Sequence, residues 1–78
     1  MIDVEEAVRR ARQLFMALHE KETITDLHLV EVELADSDRV WNVTLGYLND
    51  EVSAVAKHKS LKLDVETGQL RSMKVRVM

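Results

Sequence analysis

The sequence predicts an α+β domain in which one N-terminal helix packs across one face of a four-stranded antiparallel meander, in the order α-β-β-β-β. Three observations carry that prediction. Apolar residues recur at intervals of three and four from Val4 to Leu18, apolar and polar residues alternate from Leu27 onward, and short polar segments separate the alternating runs. The 78 residues contain no proline and only two glycines. With no repeat or low-complexity linker to divide them, residues 1–78 read as a single domain with room for one core.

The helix opens on an Asp variant of the capping box. Asp3 and Glu6 stand three apart ahead of the apolar run, so the Asp3 carboxylate can take a first-turn N–H while Glu6 reaches back. Val4, Ala7, Val8, Ala11, Leu14, Phe15 and Leu18 share one stripe, and Glu5 with Arg9 and Glu6 with Arg10 form favourably oriented pairs on the solvent side. The helix is expected to end between His19 and Glu22, where the period is lost and β-branched Thr23, Ile24 and Thr25 follow.

The first strand places His28, Val30, Val32 and Leu34 on the helix side, with Glu31 and Glu33 on the other. The second places Trp41, Val43, Leu45 and Tyr47 on the helix side, opposite Asn42 and Thr44. Pairing even positions with odd ones needs an even number of linking residues, and Asp36-Ser37-Asp38-Arg39 supplies either a four-residue or a tighter two-residue loop. That register sets Leu34 opposite Trp41 and Val30 opposite Leu45.

The third strand turns Leu61, Leu63 and Val65 inward and Lys62, Asp64 and Glu66 outward; the fourth turns Met73, Val75 and Val77 inward and Lys74 and Arg76 outward. Here odd faces odd, so an odd loop is required. Glu66-Thr67-Gly68 meets the requirement as a type I turn followed by glycine at positive φ and a bulge. The segment 49–59, "NDEVSAVAKHK", exceeds a tight turn. It reads as an extension of both strands into a long hairpin, with one turn of helix as the alternative.

Composition removes several classes of function. There is no cysteine, hence no disulfide and no thiolate metal site, as befits a reducing compartment. The formal charge of -3 has the wrong sign for nonspecific capture of nucleic acid, and one Trp, one Tyr and one Phe form no stacking platform. The opening residues, Met1 to Glu6, carry acidic charge at once, and no apolar run is long enough for a signal h-region or a membrane span. The expectation is a cytoplasmic protein with neither nucleic acid nor membrane as a partner.

The order helix, "VWNVTLGY" (Val40 to Tyr47) and "SLKLDVETGQL" (Ser60 to Leu70) resembles the PepSY domain and its PepSY-like relatives, in which a Trp-containing strand precedes a strand ending in Asp-x-x-Thr-Gly-x-Val. Asp64, Thr67 and Gly68 match that ending, and Leu70 stands near its closing apolar position. A cystatin-like helix-on-sheet fold is the broader relative, of whose Gln-Val-Val-Ala-Gly hairpin "NVTLG" (Asn42 to Gly46) is a partial echo. The resemblance implies the helix-on-sheet fold and, by association, a role in restraining peptidases.

No catalytic, cofactor-binding or metal-ligating residue is expected. Ser37, Ser53, Ser60 and Ser72 lack a nucleophile elbow, and His19, His28 and His58 lie on three elements without ligand spacing. The carboxylate pairs Glu31 with Glu33 and Asp64 with Glu66 share their face with Lys62, Lys74 and Arg76, which reads as a cross-strand charge ladder. Gly46 and Gly68 stand too far apart for a phosphate loop. Trp41 and Tyr47 point to the helix side as core, although a shallow cleft among His28, Tyr47 and the 49–59 segment is an alternative.

The outer face carries the candidate surface. By strand parity Leu27 and Leu48 point outward as neighbours, and Leu29, Val40 and Leu70 point outward too. An apolar patch on a charged face suits a partner or homodimer; scattered surface leucines are the competing account. Leu27, Leu29, Leu48 and Leu70, with Val52, Val55 and His58 of the 49–59 hairpin, form the candidate interaction surface. The expected function is that of a noncatalytic protein-interaction module for a protein partner or for self-association. A peptidase regulator or inhibitor and a small-ligand-binding protein are the alternatives.

Overall fold

The computed structural model describes residues 1–21, 23–49 and 56–76. Helix α1 spans Val4–Leu18 and is followed by β1 (Ile24–Ala35), β2 (Val40–Asn49), β3 (Lys57–Asp64) and β4 (Leu70–Val75). The strands lie in the order β1-β2-β3-β4, each antiparallel to the next. The chain is thus one helix on an open four-stranded meander. Most of the 49–59 segment, Val52 and Val55 included, lies outside the described residues.

Helix α1 begins where expected, because the Glu6 N–H donates to Asp3 Oδ1 at 2.8 Å and relieves one orphan donor of the first turn. Glu6 itself does not reach back. Its carboxylate is held by Arg9 and by Arg10, the latter at 2.6 Å from Nε, so Arg9 pairs with Glu6 rather than with Glu5. The two guanidinium hydrogen bonds, Arg9 first, hold the Glu6 carboxyl below its ordinary value.

Ala7, Ala11 and Phe15 form the buried line of the helix and seat on Val43, Leu45 and Tyr47 of β2 and Leu61 and Leu63 of β3. Two alanines here bring the helix axis close to the sheet, and Phe15 fills the wider end. The line is narrower than the apolar stripe. Val4 and Leu18, at its ends, remain exposed. Trp41 packs on the same side and donates from Nε1 to the Ile2 carbonyl at 3.0 Å, while the Ile2 N–H donates to the Val65 carbonyl. These bonds stitch the N-terminus along the sheet.

The β1–β2 loop has the four-residue form, with Ala35 opposite Val40 and Leu34 opposite Trp41. The expected register holds as far as Glu31 opposite Thr44 and fails beyond it. The register slips twice, between Leu29 and Glu31 and between Thr25 and His28, and Asp26 adopts φ 54 at the second slip. Each bulge inserts one residue and inverts the faces of all residues beyond it. Leu45 is therefore opposite Leu29, not Val30, and His28 lies opposite Gly46 on the face away from the helix.

The β3–β4 connection differs in the same way. Asp64 and Gln69 exchange a bond across a loop of residues 65–68, the Gly68 N–H donates to the Asp64 carbonyl at 2.8 Å, and Gly68 sits at φ 75. The loop is even rather than odd. A register shift between Lys62 and Leu63, with Arg71 as the extra residue, then sets Leu61 opposite Met73 as expected, but only after Leu70 has paired with Leu63.

Candidate interaction site

Three of the leucines expected on the outer face are on the helix side. Leu27 and Leu70 pack against the core cluster, and Leu29 shares the face of its partner Leu45, because the bulge precedes or follows each of them on the side that parity cannot detect. Leu48, opposite Thr25, and His58, opposite Gly46, do lie on the outer face. Val40 is outward too, yet only 1% exposed. The candidate set is therefore split between the two faces, and its members at 52 and 55 fall outside the described residues.

The outer face is polar and strapped. Rows run across the sheet as Glu31, Thr44, Ser60 and Lys74, and as Glu33, Asn42, Lys62 and Ser72. Arg76 donates to Glu31 and to Thr44, both at 2.9 Å, and Thr44 and Ser60 share a bond of 2.8 Å. Arg71 reaches from β4 to the Asp38 carbonyl at 2.7 Å, a span that crosses the row holding Asp64 and Val40. Two long side chains, Arg71 of β4 and Arg76 just beyond its end, thus lie across the face with their aliphatic stems. This accounts for the full burial of Thr44 and Val40.

Three of the four paired carboxylates, Glu31, Asp64 and Glu66, are committed within the fold. Asp64 Oδ1 accepts the Glu66 N–H at 2.8 Å and the Thr67 N–H at 3.2 Å. Those two backbone bonds, Glu66 first, hold its carboxyl below the ordinary value. Glu66 takes Arg39 at 2.6 Å and the N-terminal ammonium at 3.5 Å. Among the described residues no cluster of three or more His, Asp or Glu side chains could hold a metal ion.

The alternative cleft between His28 and Tyr47 is closed by the same bulges. His28 points away from the helix, whereas Tyr47 is buried against Phe15 at 4.8 Å between ring centroids. His19 stacks on Phe15 at 4.1 Å; its Nδ1 lies 2.8 Å from the Phe15 carbonyl and its Nε2 lies 2.7 Å from Lys59 Nζ. An ammonium only donates and a carbonyl only accepts, so His19 carries its proton on Nδ1. That end of the molecule is filled by a satisfied aromatic and cationic cluster.

The open apolar surface lies on the opposite flank, between α1 and the edge strand β1. A trough of about 600 Å³ is lined by Val4, Glu5, Val8, Arg9, Arg12 and Gln13 from the helix and by Leu29 and Val32 from β1. A second hollow of about 570 Å³ continues it past Arg12 and Gln13 to Met16, Ile24 and Leu27. Val4 and Leu29 are each 42% exposed and Met16 45%. The cause is where the helix sits: it is centred over β2, so the inner face of the edge strand β1 is only partly covered. Glu5 and Arg12 rim the trough, and neither has a hydrogen bond or ion pair among the described residues.

A sequence signal for this trough exists. The helix-side apolar residues of β1 are Ile24, Leu27, Leu29, Val32 and Leu34, with intervals of three and two in turn; Val30 stands between Leu29 and Val32 and masks the second interval of three, so Ile24 to Leu27 is the clearer mark of a bulge that returns the next apolar residue to the same face. The fold and the trough together define a class: a small α+β domain with an open sheet, one covering helix and an apolar furrow beside it. Comparison with family profiles, curated proteins and solved structures finds no match for the chain. No described helix is long and apolar enough to cross a membrane.

Proposed function

We propose that this protein is a noncatalytic protein-interaction module, and that it docks its partner in the trough between α1 and β1. The carrying observation is the continuous furrow with Leu29, Val32, Leu27 and Ile24 as its floor and unpaired Glu5 and Arg12 on its rim. Apolar floors with a few convergent charges suit a helical ridge that brings one basic and one acidic side chain of its own. A cytoplasmic setting goes with this reading and is supported by the cysteine-free composition.

The test is site-specific. A photo-reactive benzophenone side chain at position 16, in the furrow, should give protein adducts in living cells well above those from position 74, on the outer face. Equal yields at the two positions would sink the docking reading.

The PepSY-like resemblance supports a second reading, regulation of a peptidase. The Asp64, Thr67 and Gly68 turn that carries the resemblance is a built structure: Asp64 caps two N–H groups, Thr67 Oγ1 accepts the Gln69 N–H at 3.2 Å, and Gly68 supplies the positive φ. Its measurement is the rate of a broad protease panel with and without the purified protein, and unchanged rates throughout would remove it.

A further inference from the structure

We propose that the occupant of the trough is a second copy of this chain, docked with the two α1 helices antiparallel and side by side. The inference rests on the docking reading above, and the distribution of residues along the helix carries it further. A two-fold interface must be complementary to itself, because each patch meets its own image. In an antiparallel pair of α1 helices whose symmetry axis passes between positions 8 and 9, residue 5 lies level with residue 12 of the other copy, residue 4 with 13, and residue 8 with 9. Those are the six helical residues that line the trough.

Their chemistry matches under the rotation. Glu5 meets Arg12 twice, once on each side of the axis. Val8 meets the aliphatic stem of Arg9, and Val4 the methylenes of Gln13. Along one helix Glu5 and Arg12 are seven residues apart, about 10 Å of rise, so they cannot neutralise each other. The neighbouring charges Glu6, Arg9 and Arg10 already satisfy one another. The flank is thus left with one acid and one base at mirrored positions. The stems of Arg9 and Arg12 from the second copy then close over Leu29 and Val32. Pairing of β1 edge to edge is opposed by its two bulges and by Glu33, which leaves the helix flank as the route of association.

The experiment is sedimentation equilibrium of the full chain up to hundreds of micromolar, with charge-reversal variants at these exposed positions. Wild type should self-associate, Glu5→Arg and Arg12→Glu should each weaken association roughly tenfold, and the double variant Glu5→Arg with Arg12→Glu should recover the wild-type dissociation constant. A merely structural role predicts no such recovery. A monomer at every concentration, or a double variant no tighter than the singles, overturns the second copy as occupant. The position 16 adducts separate the two readings: adducts to a different protein overturn the dimer and leave the docking reading standing, whereas no excess over position 74 removes both.

Discussion

Asp64 shows how a residue read as part of a cross-strand charge ladder becomes the cap of a turn. Its Oδ1 accepts the N–H groups of both Glu66 and Thr67, and the depressed pKa follows from those bonds. A depressed carboxyl contributes stability above its unfolded value, ordinarily 3.8, and loses it as pH falls through the lower folded value. Glu6 acts in the same direction through Arg9 and Arg10. The melting temperature should therefore fall as pH drops below 4, and Asp64→Asn, which keeps an acceptor for the turn but carries no charge, should flatten that acid limb and lower the melting temperature at neutral pH, where the charged carboxylate contributes. Thermal melts across the acid range decide it; an unchanged slope would remove the assignment. The role of Asp64 was half legible, since the Thr-Gly ending marks a turn, but the carboxylate's commitment to its own backbone needed coordinates.

At the scale of elements, the start and apolar stripe of α1 were legible but the pairing of Glu6 was not, and β1 was legible in part. Asp3 before an apolar run is a local signal, and local signals survive folding because capping involves only atoms within one turn. Asp3→Ala should cost about 1 kcal/mol, read as a loss of about 4–8 °C in melting temperature for a domain of this size, with Asp3→Ser largely neutral. The strands were found but their faces were not, because alternation assumes an unbroken ladder. Two bulges in β1 and one in β4 moved Leu27, Leu29 and Leu70 from the outer to the inner face. The intervals of three from Ile24 to Leu27 and from Leu70 to Met73 were the available trace of this, while Val30 hid the bulge after Leu29.

For the whole molecule, the decisive feature is the mismatch between one 15-residue helix and a sheet whose edge strand is 12 residues long. A single helix centred over β2 covers neither edge of a four-stranded sheet fully, and apolar area is left beside it at β1, with a smaller hollow against Leu70 of β4. A second α1 supplies the missing cover, so stability and association are linked. Melting temperature should rise with protein concentration, by about 3–5 °C for each tenfold increase once the dimer dominates, and the rise should vanish in Arg12→Glu. A concentration-independent melt for wild type would contradict the linkage.

The sequence by itself determined the order of elements, the start of the helix, the apolar stripe that contains Ala7, Ala11 and Phe15, an even first loop and the need for Gly68 at a positive φ. All of these follow from interactions within a few residues or from a period that the chain carries with it. Only the tertiary structure decided which face Leu27, Leu29 and Leu70 occupy, how Arg71 and Arg76 cover the polar side, and that the open apolar surface lies between α1 and β1. The reason is that a bulge of one residue changes a strand locally but inverts everything beyond it. The uncovered flank, in turn, depends on where the helix axis settles across the sheet, which the residues of neither element fix alone.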